Sequence, residues 1–140
     1  MSHSVKIVMI EDDHGHARLI EKNIRRANIA NDIMHFDHGK AAMDYLFTEE
    51  VRAHGPLLIL LDLNLPDMSG TDILERVKSD EKLRRAPVVV LTTTDDRVEI
   101  QRCYDLGCNV YITKPVDYEG FSGAIRQLGL FLSVMQAPDI

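Results

Sequence analysis

The sequence predicts a single α/β domain built on a doubly wound parallel β-sheet. Short aliphatic runs alternate five times with stretches whose apolar residues recur every three or four positions. The third and fourth runs are apolar without alternation, which is typical of central parallel strands covered on both faces. A chain of 140 residues fits one domain, and we expect residues 1–140 to form it.

The first two strand–helix units are predicted within residues 5–46. A β-branched strand spans 5–10, and a weaker strand spans 32–36. Each strand precedes a helix with one apolar face. These faces consist of Ala17, Ile20, Ile24 and Ala27 in the first helix, and of Ala41, Ala42, Tyr45 and Leu46 in the second.

The other three units follow the same order, with strands predicted at 57–61, 88–91 and 109–113. Ser69 precedes the third helix as an N-cap, with Asp72 three residues further on. The apolar faces are Gly70, Ile73, Leu74 and Val77, and then Ile100, Cys103, Tyr104 and Gly107. A last, long helix begins near residue 117. Five βα units with right-handed crossovers predict a flavodoxin-like (βα)5 fold with strand order 2-1-3-4-5.

Composition limits the classes of partner. The net charge of −6 argues against nucleic acid or an anionic membrane, because phosphate groups attract clusters of Lys and Arg. The longest apolar run, residues 56–61, is too short to span a bilayer. No signal peptide is recognisable, so we expect a cytoplasmic protein. Cys103 and Cys108 are expected to line the core rather than to form a disulfide or a metal site.

Polar side chains follow four of the predicted strands. Glu11 and Asp12 come after the first, Asp62 after the third, Thr92 after the fourth and Lys114 after the fifth. Parallel strands end at one edge of the sheet, so these side chains should converge there. Clustered carboxylates require a cation between them, and oxygen ligands suit Mg²⁺. An aspartate beside a metal and a lysine can accept a phosphoryl group as an acyl phosphate.

The same residues lie in motifs that resemble a known family. The matching stretches read IEDD at 10–13, LDLNLPDMSG at 61–70, PVVVLTTT at 87–94 and YITKP at 111–115. Together they are similar to the receiver domains of two-component response regulators, over about residues 5–130. The resemblance implies that Asp62 is the phosphoacceptor and that a sensor histidine kinase is the donor. It also implies a signalling protein rather than an enzyme, one that catalyses only its own phosphorylation and slow autodephosphorylation.

The resemblance assigns roles to the other site residues. Glu11, Asp12, Asp62 and the backbone carbonyl of Asn64 would bind Mg²⁺. Lys114 and the hydroxyl of Thr92 would contact the phosphoryl oxygens.

Further positions complete the resemblance. Thr92 and Tyr111 would form a switch that moves inward on phosphorylation. The Lys114–Pro115 bond would be cis. Thr93 stands where many receivers have a smaller residue, and its bulk would narrow access to Asp62. Thr94, together with Asn64, would influence how fast the acyl phosphate hydrolyses.

The end of the last helix predicts an interface. Leu130, Phe131 and Val134 add apolar surface outside the face that packs on the sheet, so residues 117–135 would extend as a dimerisation helix. A local tuck of this tail onto the domain is the alternative. The tail and Leu91-Thr92-Thr93 also resemble single-domain receivers associated with bacterial phytochrome kinases. That resemblance implies a bacteriophytochrome kinase and a homodimer.

The residues after the acidic pair leave several interpretations open. Asp13 is expected at the helix entry, although it could compete as a metal ligand. His14 and His16 could join Asp12 and Asp13 in a zinc site, take part in kinase recognition, or be exposed polar residues. Zinc would need more nitrogen or sulfur ligands than two imidazoles.

Two other functions compete with the phosphorylated switch. A haloacid-dehalogenase-like phosphatase also uses an aspartate nucleophile with Mg²⁺, but it needs a second acid where this chain has Asn64. A phosphorylation-independent binding module would be expected to lack Asp62, Asp12, Thr92 or Lys114, and all four are present. We therefore expect signalling through protein contacts or onward phosphotransfer in a phosphorelay, without a DNA-binding output domain.

Overall fold

The structure, a computed structural model, describes residues 5–52, 55–114, 119–120 and 122–127. Five parallel strands form one sheet in the order β2-β1-β3-β4-β5, which confirms the predicted fold. The strands are β1 (Lys6–Ile10), β2 (Ile33–Phe36), β3 (Leu57–Leu61), β4 (Val88–Thr92) and β5 (Val110–Thr113). Every residue of β3 and β4 is buried, as expected for central strands.

Helices connect the strands on both faces of the sheet. They are α1 (His14–Arg26), α2 (Gly39–Leu46), α3 (Glu49–Arg52), α4 (Gly70–Ser79) and α5 (Arg97–Leu106), with a 3₁₀ turn at Leu83–Arg85. Residues 119–120 and 122–127 are also helical. In the described part of the chain, no helix is long and apolar enough to cross a membrane.

Two hydrophobic clusters hold the layers together, one on each face of the sheet. Alternate residues of β1, β3 and β4 point to opposite faces. One cluster joins the sheet to α2, α4 and α5, with Ile73, Leu74 and Cys103 fully buried. The other joins it to α1 and to Ile125, which lies in the described helical residues 122–127.

Local sequence chemistry sets the helix ends. Asp13 caps α1 by accepting from the backbone N–H of His16, and Ser69 caps α4 by accepting from that of Thr71. Helix α5 ends at Gly107, whose φ of 108° is left-handed. The Cys108 N–H then donates to the Cys103 carbonyl, which forms a Schellman turn between the two cysteines. Both cysteines are buried and have free thiols.

Some details differ from the sequence-based expectations. Ala41 is exposed, and Met43 takes its place on the buried face of α2 because that helix begins at Gly39. Helix α3 and the 3₁₀ turn were not predicted, since each is a single turn. Most of the predicted dimerisation helix, 117–135, and the Lys114–Pro115 bond lie outside the described residues, so both stay predictions.

Candidate functional site

The sheet brings four buried polar side chains to one edge. Backbone hydrogen bonds continue past the strand ends, from Asp62 N–H to the Ile10 carbonyl at 2.9 Å and from Lys114 N–H to the Thr92 carbonyl at 2.7 Å. Glu11, Asp62, Thr92 and Lys114 therefore emerge side by side. All are at least 94% buried, with relative exposures of 2%, 6%, 0% and 3%.

Lys114 sits at the centre of the site. Its Nζ donates to Asp62 Oδ2 at 3.1 Å and forms a close ion pair with Glu11 Oε1. A third contact, to His16 Nδ1, is also 3.1 Å long. The lysine thus places a positive charge beside two buried carboxyl groups and offsets the charge of the ionised one in a low-dielectric site.

Three carboxylates form a candidate cation site. Glu11, Asp12 and Asp62 each offer an oxygen, and these oxygens lie within 4.8 Å of one another. Asp12 is exposed, so the cluster opens toward solvent on that side. An all-oxygen set with room for water fits a hard divalent cation such as Mg²⁺.

The two buried acids differ in protonation. Burial is the main cause that raises the pKa of Glu11 to about 8, and the neighbouring Asp62 adds to it against the pull of Lys114. Burial also acts upward on the pKa of Asp62. The contacts with Glu11, the Asn64 N–H and Lys114 outweigh it, so that pKa lies below its ordinary value. Asp62 is the ionised member of the pair.

Asn64 connects Asp62 to the segment after β4. Its backbone N–H donates to Asp62 Oδ1 at 3.1 Å. Its side-chain Nδ2 lies 3.3 Å from the hydroxyls of Thr92 and Thr94 and 3.5 Å from that of Thr93. Thr92 is fully buried and Thr93 is exposed, so the bulk of Thr93 lies at the mouth of the site.

Tyr111 is tied to the same segment. Its hydroxyl donates to the Thr94 carbonyl at 2.5 Å, and its backbone N–H donates to the Tyr104 hydroxyl at 3.0 Å. Burial raises the pKa of Tyr111 to about 12, so the phenol remains a donor at neutral pH. A movement of the chain beyond Thr92 would therefore disturb the Tyr111 side chain.

The loop from β3 to α4 frames the site. Gly70 N–H donates to the Leu63 carbonyl at 3.0 Å. Asp67 reaches across to α2, where its carboxylate accepts from the N–H groups of Gly39 at 2.7 Å and Lys40 at 2.8 Å. These bonds lower the pKa of Asp67 and anchor the loop to the N-terminus of α2.

The histidines do not form the zinc site considered from the sequence. His14 Nε2 pairs with Asp37 Oδ2 at 2.9 Å, whereas His16 Nδ1 faces Lys114. Asp13 is used in capping α1, as expected for a helix-entry residue. Among the residues that the structure describes, the only group of three or more His, Cys, Asp or Glu side chains close enough to hold a metal ion is Glu11, Asp12 and Asp62.

Sequence reasoning missed two contacts to the site. One is the approach of His16 to Lys114. The other is His35, whose Nε2–H donates to the Glu11 backbone carbonyl at 2.8 Å and so fixes the chain before Asp12. Neither histidine belongs to a recognisable motif, so no local signal pointed to them.

Comparisons with known proteins agree with this geometry. A family model described as the response regulator receiver domain matches residues 7–126. A receiver domain from Rhodospirillum rubrum is 64% identical, with a TM-score of 0.92 over 97% of this chain and 98% of its own. The phosphorylated cyanobacterial phytochrome response regulator RcpA is 35% identical, with a TM-score of 0.85 over 98% and 99% of the two chains.

A further relative was solved with a metal ion. Rcp1 of Synechocystis sp. is 36% identical over 110 residues, which are 77% of this chain and 75% of Rcp1. The structure described as the Mn²⁺-bound form of Rcp1 has a TM-score of 0.86 and 31% identity over 97% of this chain and 99% of that one. The structural neighbours therefore include phytochrome-associated response regulators.

Proposed function

The chain belongs to the response regulator receiver domain family, and from that premise we propose that it is a two-component switch that accepts a phosphoryl group on Asp62. The observation that carries the proposal is the setting of this carboxylate. Asp62 is ionised and buried, with Oδ1 held by the Asn64 N–H at 3.1 Å and Oδ2 held by Lys114 at 3.1 Å. The aspartate is thus already oriented before a donor arrives.

The transfer itself is a displacement at phosphorus. A carboxylate oxygen of Asp62 bonds to the phosphorus of a kinase phosphohistidine, the P–N bond breaks, and the released imidazole takes up a proton. Lys114 and the Thr92 hydroxyl are placed to meet charge on the phosphoryl oxygens. Because the acceptor is consumed and regenerated within the chain, the protein is a signalling component rather than an enzyme with a separate substrate.

Mg²⁺ is the proposed cofactor, bound by Glu11, Asp12, Asp62 and the Asn64 backbone carbonyl. The Mn²⁺-bound form of the relative Rcp1 and the all-oxygen cluster support a divalent cation. When bound, the ion would offset negative charge on the acids and on the incoming phosphoryl group.

Phosphorylation would act through Thr92 and Tyr111. A phosphoryl group on Asp62 would draw the Thr92 hydroxyl away from Asn64 Nδ2, which lies 3.3 Å from it. The segment through Thr94 would follow, and Tyr111 would lose its present bond to the Thr94 carbonyl. Such a movement would shift a population between two states rather than create a new one.

The proposed partners are a sensor histidine kinase and a second copy of the chain. The description of RcpA as a phosphorylated phytochrome response regulator supports a bacterial phytochrome as the kinase. The apolar end of the last helix supports a homodimer. The outcome of phosphorylation would be a protein contact or phosphotransfer to a downstream protein in the cytoplasm.

The test is phosphorylation by acetyl phosphate, with and without Mg²⁺, read by intact mass and by size-exclusion elution. The protein should gain one phosphoryl group only with Mg²⁺. Asp62→Asn should gain none, whereas Asp72→Asn, which removes a carboxylate from the first turn of α4, should behave as the wild type. A shift to dimer on phosphorylation would make assembly the output. If the protein neither gained mass nor bound beryllofluoride, the proposal would be contradicted and a phosphorylation-independent module would be favoured.

A further inference from the structure

We infer that His16 is a positioning residue for Lys114. Its neutral imidazole accepts a hydrogen of the lysine ammonium and holds Nζ against Asp62. The inference rests on the proposed function, because it concerns the lysine that would meet the phosphoryl group. It adds a residue of α1 to a site that is otherwise built from the ends of the strands.

The donors of Lys114 support this role. Among the described side chains, Nζ has three close contacts: Glu11 Oε1, Asp62 Oδ2 and His16 Nδ1. The Lys114 side chain is only 1% exposed, so bulk water cannot readily replace a lost partner. Removing the imidazole would take one acceptor from this buried ammonium, and Nζ would shift from its present position beside Asp62.

The placement of His16 is fixed by the start of α1. Its backbone N–H donates to the capping carboxylate of Asp13 at 3.0 Å, one turn beyond the acidic pair. The imidazole thereby lies between Lys114 and solvent, with its side chain 37% exposed. The Lys114 side chain is buried away from solvent, whereas the His16 imidazole is partly exposed.

The contact requires a particular protonation state. Lys114 can only donate, so His16 Nδ1 must carry a lone pair, and the ring must be the tautomer with hydrogen on Nε2. A protonated ring has no lone pair and would set a second cation 3.1 Å from the ammonium. Among the described residues, the charged groups nearest the ring are Asp13, at 3.7 Å, and Lys114, with Glu11 and Asp62 beyond the lysine. The contact with Lys114 therefore specifies the neutral ring with its hydrogen on Nε2.

Three variants separate positioning from packing. His16→Leu keeps much of the volume but has no acceptor. His16→Asn places a carboxamide oxygen the same number of bonds from Cα as Nδ1. This oxygen can accept a hydrogen bond, and it does not titrate near neutral pH. His14→Leu is the matched control, because His14 lies on the same helix and pairs with Asp37 rather than with Lys114.

The experiment measures the rate of phosphorylation by acetyl phosphate at saturating Mg²⁺ and pH 8. The His16→Leu rate should fall several-fold, and the His16→Asn rate should stay close to that of the wild type. His14→Leu should retain the wild-type rate. An unchanged rate in His16→Leu, or an equal fall in His16→Leu and His16→Asn, would overturn the inference.

A second measurement does not depend on phosphorylation or on the folding of any variant. Nitrogen-15 NMR of the wild-type imidazoles at pH 8 should show His16 with an unprotonated Nδ1. A signal from hydrogen on Nδ1 would overturn the inference while leaving the proposed function intact. A wild-type protein that accepts no phosphoryl group would instead remove the proposed function and this inference with it.

Discussion

At the scale of single residues, the site balances two buried acids against one lysine. Glu11 and Asp62 share Lys114, yet their pKa values move in opposite directions. Asp62 receives the Asn64 N–H and stays ionised, whereas the more deeply buried Glu11 holds a proton at neutral pH. The ionised carboxylate, which is the proposed phosphoacceptor, and the protonated carboxyl group are thus two different residues before any ligand binds.

Magnesium affinity should therefore depend on pH. A cation at the proposed site would bind the ionised form of Glu11, whose pKa in the metal-free protein is about 8. Below that pH a proton must leave first, so affinity should weaken as pH falls, by up to about tenfold per pH unit. Calorimetric titration between pH 6 and 9 measures this, with Glu11→Gln expected to bind weakly and with a flatter profile. Equal affinity of the wild type at pH 6.5 and pH 8 would contradict the assignment.

Gly70 should tolerate no side chain. A Cβ there would lie 2.5 Å from the Asp62 backbone oxygen and 2.6 Å from Leu63 Cα, and backbone atoms cannot give way without moving Asp62. We expect Gly70→Ala to cost about 1–3 kcal/mol in denaturant unfolding and to slow phosphorylation.

Gly123 supplies the control for Gly70, because it is helical and has open space around its Cβ position. Gly123→Ala should be neutral or stabilising by up to about 1 kcal/mol. If Gly70→Ala and Gly123→Ala were equally stable, the backbone atoms of Asp62 and Leu63 would leave room for a Cβ at position 70, contrary to this account.

At the scale of elements, side-chain caps join parts that are distant in the chain. Asp67 in the loop before α4 caps α2, and Asp80 after α4 caps the 3₁₀ turn. Asp80 accepts from the N–H groups of Lys82 at 3.0 Å and Leu83 at 2.8 Å, and its other oxygen pairs with Arg52 of α3 at 3.1 Å.

Removing the Asp80 cap should destabilise the fold. We expect Asp80→Ala to lose about 1–2 kcal/mol in urea unfolding at pH 7, because two backbone donors and an arginine lose their acceptor. Glu81→Ala, at an exposed neighbouring position, should change little. The pKa of Asp80 lies below its ordinary value because its bonds outweigh burial, so its contribution should vanish as pH falls through that lowered value. A loss that persists in acid would point to a cause other than the carboxylate.

Some of these elements and contacts could be predicted from the sequence, and others could not. The continuous apolar runs of β3 and β4 and the caps Asp13 and Ser69 are local signals, and they predicted strands and helix starts directly. The convergence of Glu11, Asp62, Thr92 and Lys114 followed from topology, because parallel strands end at one edge. The contact of His16 with Lys114 and that of Asp67 with Gly39 join positions 98 and 28 residues apart, and only tertiary packing determines them.

At the scale of the whole molecule, the fold separates stability from function. Two hydrophobic clusters on opposite faces of the sheet hold the layers together. Among the described residues, the buried charged side chains are Glu11, Asp62 and Lys114, and they lie together at one edge of the sheet. Thr92 and Tyr111 are held by hydrogen bonds to the Asn64 side chain and to the Thr94 carbonyl, and neither bond belongs to the hydrophobic clusters. Under the proposed function, a phosphoryl group on Asp62 would therefore change the surface that carries Tyr111.

The most direct test of this account locates the phosphoryl group. Protein treated with acetyl phosphate and Mg²⁺ is reduced with borohydride, which converts an aspartyl phosphate into a stable alcohol, and is then digested and sequenced by mass spectrometry. The account predicts that Asp62 alone carries the modification and that Lys114→Met prevents or strongly slows it. Modification at Glu11, Asp12 or a histidine, or a wild-type protein modified nowhere, would contradict it.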